Sequence, residues 1–424
     1  MIPFATAKET LIEEKLPGPE FTSIEKFVLK FTLCFFIIFN MVETNWSLSC
    51  APSLKLCIKK LSSTFKPSAS SLPMKFKIKK SLIISFLITI LCFQNNLYSN
   101  SSLENIEDFG IISLMYHRFE ENKYPSTNIK IIDFQKQLDI IENSNIEFVN
   151  PNNFEKTLRE KKKKRKILLT IDDAFLSFYE NAWPILKKRK IPFILFVNTK
   201  DVGAPNYMNW SQIKEISKED YIEIGNHSHT HEYLVEESNE IIKADILKSM
   251  EILKSKLGRN SKFFSYPFGE YSLDFKKIIS SLGFIYAFGQ HSGVIDVTKD
   301  FYELPRFPIN EKYGELKRFK SLTKTLPFKY KKIYPEEKYL LDKNNPPNVT
   351  IEFYKNIKNI KSVNCYSNEN DKWRQSSIKF INSNTLEISI NEKFIGERGR
   401  INCSLKDTSG FWRWLGIQFV VSDK

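Results

Sequence analysis

The chain has 424 residues, 42% of them hydrophobic, and a formal net charge of +14. Gly and Pro are not enriched, so the length is spent on packed cores: room for two domains plus targeting segments. Residues 1–99 carry 12 Lys against 6 Glu, and the excess in the remainder forms no basic helix or aromatic–basic module. That excludes nucleic acid as a partner and leaves an anionic envelope or substrate compatible with the charge.

Near the amino terminus, Met74 to Lys80 is basic, Ser81 to Phe93 is apolar and too short for a comfortable membrane span, and Gln94 to Ser102 is polar with small residues. This is the layout of a secretory signal peptide over 74–99, with cleavage near residues 99–101 and export to the periplasm or outside the cell. Leu91 before Cys92 is too large for a usual lipoprotein cleavage site. The 73 residues ahead read as an over-extended start, with Met74 the initiator. The other reading is a true extension whose apolar stretch, Phe27 to Val42, crosses or touches a membrane.

From residue 108 short apolar runs alternate with longer amphipathic ones. Strands are expected at 110–117, 146–150, 167–173, 192–198, 221–228, 262–268 and, as the last, 285–290. Helices are expected at 131–144, 153–160, 177–190, 209–220, 239–257 and 272–282. The basic run Lys161 to Lys166 reads as a solvated turn. Such alternation argues for a parallel sheet covered by helices. About seven strands suggest a distorted β/α barrel over 108–315, although periodicity alone leaves an open sheet possible. A connector rich in Lys, Pro and Tyr is expected at 316–345. A small antiparallel β-rich domain over 346–424 follows, with strands at 350–353, 376–381, 386–390, 399–405 and 414–421. Its two cysteines, Cys365 and Cys403, could pair as a disulfide in an exported domain or stay buried as free thiols.

Polar clusters fall at the carboxyl ends of three expected strands: Asp172-Asp173, His227-Ser228-His229-Thr230-His231, and Ser265-Tyr266-Pro267-Phe268-Gly269. In parallel barrels that face forms the active site. His227 and His231 lie four apart across a strand end, so both rings can reach one ion, with Asp173 as the carboxylate of a divalent-metal set and His229 turned elsewhere. Zn2+ is the metal such a set most often holds. Asp172 and Asp173 would face opposite sides of a regular strand, so both serve one site only if the chain leaves the pleat there. One then binds metal while the other takes a proton from the attacking water. The structural alternative is that either caps the helix near Ser177.

These stretches resemble the polysaccharide deacetylases, the family 4 carbohydrate esterases. Thr170-Ile171-Asp172-Asp173-Ala174 resembles the T-F-D-D-G motif, Asn226 to His231 the H-[ST]-x-x-H motif, and Phe264 to Gly269 the R-x-P-[YF]-G motif. Leu114 to His117 and Leu304 to Phe307 resemble stretches of the branch acting on exported polysaccharides. The resemblance implies a distorted β/α barrel that removes acetyl groups from N-acetylated sugars, so the expected partner is an acetylated polysaccharide. It implies Asp172 as general base, Asp173, His227 and His231 as metal ligands, and the backbone N–H of Phe268 as oxyanion donor.

Two departures bear on this. Ala174 stands where the motif has Gly, which strains a turn of positive φ. Ser265 stands where many members carry an Arg that orients the base, and Arg306 is the candidate replacement. His291 is the candidate general acid, because protonating the departing amine needs a group titrating near neutral pH. His117 and Tyr266 are candidates to line the substrate cleft. The departures also motivate the rival reading of a non-catalytic glycan-binding protein on a degenerate scaffold. A third reading puts sugar binding on Trp373, Trp412 and Trp414.

Overall fold

The computed structural model describes residues 109–160, 164–355, 357–408 and 410–422. All the described residues belong to one compact unit within residues 92–424. The signal-peptide and extension readings, and residues 161–163 of the basic run, lie outside the described residues. Among the described residues no helix is long and apolar enough to cross a membrane.

Strands and helices alternate from β1 (Ile111–Tyr116) through α1 (Ile131–Glu142), β2 (Ile146–Phe148), α2 (Phe154–Arg159), β3 (Arg165–Ile171), α3 (Trp183–Arg189), β4 (Phe193–Val197), α4 (Trp210–Ile216), β5 (Ile222–Asn226), α5 (Asn239–Leu257), β6 (Phe263–Ser265), α6 (Leu273–Ser281) and β7 (Tyr286–Phe288). Strands β1, β3, β4, β5, β6 and β7 lie side by side, all parallel. They are apolar on both faces, as a covered parallel sheet requires. Ile112, Leu114, Ile167, Leu169, Phe193 and Leu195 pack with Phe134, Leu138 and Leu186 of the helices. The alternate residues Ile111, Leu168, Ile194, Phe196, Phe263 and Phe288 form a second core with Phe154 and Leu158 of α2. The bounds of α5 match the expected 239–257, because the Ser238 hydroxyl accepts from the Ile241 N–H and Gly258, at φ 77°, ends the helix. The expected helix 177–190 instead begins as a π turn, Phe178–Ala182, with Pro184 in the first turn of α3.

Strand β7 is not the last. β8 (Val294–Ile295) pairs antiparallel with β1, and β9 (Phe307–Pro308) pairs parallel with it. On either side of β9 the Leu304 N–H donates to the Ala287 carbonyl of β7 and the Ile309 N–H to the Met115 carbonyl of β1. The sheet thus curls into a half-barrel, and residues 304–309 bond to both of its ends. Arg306 sits in this closing segment.

The expected connector is largely part of the second domain. After α7 (Leu316–Leu322), Leu326–Pro327 and Tyr339–Leu340 pair parallel with Trp412–Val421, and Tyr330–Tyr334 pairs antiparallel with Val349–Phe353. One sheet carries Leu326–Pro327, Trp412–Val421, Arg398–Lys406, Asn364–Glu369 and Lys372–Gln375; the other carries Tyr330–Tyr334, Val349–Phe353, Thr385–Ser389 and Ser377–Phe380. Ile351, Leu386, Ile401 and Phe419 share the core between them. Cys365 and Cys403 are direct cross-strand partners, fully buried and disulfide-bonded. The β domain meets the half-barrel where the Gly416 N–H donates to the Ser292 carbonyl and Trp414 packs on Phe307.

Candidate active site

Strand β3 ends at Ile171, and the two carboxylates follow it. Asp173 has φ 74° and Ala174 φ 55°. Two consecutive residues in the left-handed region turn the chain out of the pleat, so Asp172 and Asp173 approach one site. Without a glycine each costs about 1–2 kcal/mol. The turn is held by the Asp172 N–H donating to the Tyr116 carbonyl and the Met208 N–H donating to the Ala174 carbonyl, both at 2.9 Å. Neither carboxylate caps the next helical turn, which starts at Phe178 with Ser177 in the cap position.

The histidines leave the end of β5. His227 is buried, and its Nδ1 lies 2.7 Å from the Ser265 carbonyl oxygen. Only a protonated Nδ1 can donate there, which leaves the Nε2 lone pair free for a cation. Ser228, at φ 69°, turns the chain, and its hydroxyl accepts from the His231 N–H at 3.0 Å. Asp245 of α5 braces the loop, accepting from the N–H groups of His229 and Thr230 and from the Thr230 hydroxyl. His229 turns away, its Nδ1 2.9 Å from the Thr199 hydroxyl.

Asp173, His227 and His231 converge. Asp173 Oδ1 is 3.3 Å from Nε2 of each histidine. That oxygen is buried and has no hydrogen-bond donor. A buried carboxylate oxygen without a donor, between two imidazole nitrogens, fits a divalent cation in donor type and number. Burial alone would raise the carboxyl, but the neighbouring His227, His231 and His117 imidazoles hold it well below the usual range.

Asp172 is fully buried beside this set, with Oδ2 3.9 Å from His227 Nε2. Arg306, also fully buried, donates from Nη1 to Asp172 Oδ1 at 2.7 Å and from Nη2 to the Ser265 hydroxyl at 2.9 Å. Ser265 in turn donates to Asp172 Oδ2 at 3.3 Å. The guanidinium is anchored by Nε on the Gly289 carbonyl and by Nη1 on the Thr170 hydroxyl. A serine and a sequence-distant arginine thus hold the Asp172 carboxylate from its two oxygens. Burial pushes the Asp172 carboxyl up, but Arg306, His227 and His117 hold it below the ordinary range, so it stays ionised. His117, just past β1, belongs to the same electrostatic cluster. Its own pKa is lowered by burial, against the pull of Asp173 and Asp172.

Phe268 has φ 57° and its ring lies 4.7 Å from that of His231, centroid to centroid. Two other residues are not gathered as expected. Tyr266 does not line a cleft: it is fully buried against Phe264, Tyr271 and Phe275 and donates its hydroxyl to the Tyr302 carbonyl. His291 lies 6.3 Å from the Tyr271 ring, and burial with the charges of Lys338, Lys299, Lys276 and Arg306 pushes its pKa down to about 3. That direction disfavours the imidazolium form that a general acid would need.

Thr170, Ser228 and Asp245 escaped the sequence reading. Thr170 and Ser228 lay inside quoted motifs without an assigned role. Asp245, mid-helix, carries no local signal.

Residues 159–287 match the family model for polysaccharide deacetylase. The poly-beta-1,6-N-acetyl-D-glucosamine N-deacetylase of Staphylococcus aureus is 28% identical, over 47% of this chain and 79% of its own. That of Staphylococcus epidermidis is 27% identical, over 48% and 74%. Among solved structures, IcaB from Ammonifex degensii is 26% identical, covering 51% of this chain and 98% of its own, with a TM-score of 0.48.

Proposed function

We propose that the chain, whose residues 159–287 match the polysaccharide deacetylase model, is an amide-bond hydrolase that removes acetyl groups from an N-acetylated extracellular or cell-envelope polysaccharide. The observation that carries the reading is the donor-free Asp173 oxygen between two histidine nitrogens, beside an ionised Asp172 locked to Arg306. Asp173, His227 and His231 would hold a divalent cation, zinc by the chemistry of the donor set, which when bound supplies Lewis acidity and lowers the pKa of water to about 7.

The protein's own residues supply the rest. Asp172 takes a proton from the attacking water as its oxygen adds to the acetyl carbon. The two bonds from Arg306 and Ser265 fix the carboxylate's rotation and keep it ionised before the attack. The Phe268 backbone N–H donates to the developing oxyanion, where a preorganised donor is worth most. When the C–N bond breaks, the proton returns from Asp172 to the amine nitrogen. This route returns the proton without calling on His291. Acetate and a free amine result, and the polymer gains positive charge. His117, coupled to both carboxylates, would border the bound sugar.

The staphylococcal relatives are named for poly-beta-1,6-N-acetyl-D-glucosamine, which makes that polymer the first substrate to try. Acetate release from it, measured with the zinc-loaded full chain and with His227→Ala, tests the reading. Release by the parent and none by the variant is expected. No release from N-acetylated or O-acetylated glycans, with metal bound, would leave the glycan-binding reading.

A further inference from the structure

The turn that carries Phe268 is built from the half-barrel but held from the β domain. Phe268, Gly269 and Glu270 follow β6, and both Phe268 and Gly269 have positive φ, 57° and 72°. A non-glycine residue in that region persists only where its surroundings over-determine it. The Phe268 ring is enclosed by three groups. His231 lies 4.7 Å away, and Tyr233 is stacked on it at 4.2 Å with the planes 5° apart. The Arg398 guanidinium carbon is 5.7 Å from its centroid.

Arg398 opens a long strand of the β domain, more than a hundred residues downstream. Its Nε pairs with Glu270, whose carboxylate is almost fully buried at the end of the same turn. The preceding residue, Glu397, accepts the Tyr233 hydroxyl at 3.0 Å. Gln418, on the neighbouring strand, donates to the Gly269 carbonyl at 3.4 Å. Three side chains of the β domain thus bind the two loops that carry the Phe268 ring against His231 and the Tyr233 ring stacked on Phe268.

We infer that Arg398 is a positioning residue for the metal site, so that the β domain is a working part of the catalytic centre rather than an appended module. Arg398 touches none of the ligand atoms. It acts through the Phe268 turn, setting both the direction of the Phe268 N–H and the packing behind the His231 ring. The catalytic half of this inference rests on the proposed deacetylase activity; the metal half does not.

The test uses the full chain. Zinc affinity is read by chelator competition, and kcat and KM by acetate release from an N-acetylglucosamine oligomer. In Arg398→Ala the zinc Kd is expected to rise about tenfold and kcat to fall about 10- to 100-fold, with KM little changed. Arg398→Lys, which keeps a cation beside Glu270 but not the planar group over Phe268, should fall between. Wild-type zinc affinity and kcat in Arg398→Ala, with only the melting temperature lowered, would make Arg398 a structural brace and overturn the inference. If Arg398→Ala does not fold, Glu397→Ala carries the test, because that side chain is exposed and its loss frees Tyr233. Unchanged zinc affinity in both Glu397→Ala and Arg398→Lys would then overturn it. If the wild type releases no acetate, the deacetylase reading fails, and the zinc comparison still decides the positioning claim.

Discussion

Replacing Arg306 by Ala isolates the buried charge on which the site depends. The guanidinium is fully buried and donates to Asp172, Ser265, Thr170 and Gly289. Its removal leaves the fully buried Asp172 carboxylate without a cationic partner, and breaking a buried pair in this way costs about 3–5 kcal/mol. The cost belongs to the stranded charge, so it should shrink when Asp172 is already Asn. The double-mutant cycle Arg306→Ala with Asp172→Asn, measured by urea unfolding of the metal-free full chain, is expected to give a coupling of about 2 kcal/mol or more. The pH dependence has a definite sign. In the wild type the Asp172 carboxyl lies below its unfolded value of about 3.9, so it contributes stability above that pH and loses it on acidification. Without Arg306, burial has lost its largest opponent and the carboxyl moves up. Relative stability is then gained on acidification and lost as pH rises. A cost under about 1 kcal/mol for Arg306→Ala, or additivity with Asp172→Asn, would refute the reasoning.

Asp245 accepts three hydrogen bonds from the loop ending at His231, so Asp245→Ala should weaken zinc binding about 10- to 100-fold in a chelator titration. Ala174 has φ 55°, and Ala174→Gly should therefore stabilise the fold by about 0.5–1 kcal/mol, the relief of the left-handed strain less the added freedom of the unfolded glycine; urea midpoints measure it. The Cys365–Cys403 bond spans a sequence separation of 38, and its replacement by two alanines should lower stability by roughly 3–4 kcal/mol in a calorimetric comparison.

The half-barrel was legible because its strands are buried on both faces and its helices repeat on one, so the period changes from element to element. Where local chemistry marked an end, as Ser238 and Gly258 mark α5, even the bounds could be read. The connector failed for the opposite reason. Leu326–Pro327 and Tyr339–Leu340 are two-residue strands, and their partners lie about eighty residues away in Trp412–Val421. No local period exists for so short a run. The hairpin of Asn364–Glu369 and Lys372–Gln375 was also missed, although Asn370 and Asp371 both adopt positive φ and are the residue types that favour such turns.

The same division holds at the site. Asp173, His227 and His231 are marked by residue type at strand ends. The adjacency of Asp172 and Asp173 posed a geometric requirement, and the two left-handed residues at 173 and 174 satisfy it. Tyr266 is a candidate by sequence to line the cleft because it lies in the motif after β6, yet it is fully buried in the core. His291 follows a barrel strand, but the lysines whose charges push its pKa down come from α6, the loop after β8 and the β domain. The contribution of Glu397 and Arg398 depends on docking between distant segments, and nothing in their immediate sequence announces it.

The central claim is hydrolysis of an N-acetyl group with Asp172 as base. Acetate release by the zinc-loaded full chain, set against Asp172→Asn with metal content determined in both, tests it most directly. The account predicts equal zinc in the two proteins and a rate about 10²–10⁴-fold lower in the variant. Wild-type turnover in Asp172→Asn would contradict it.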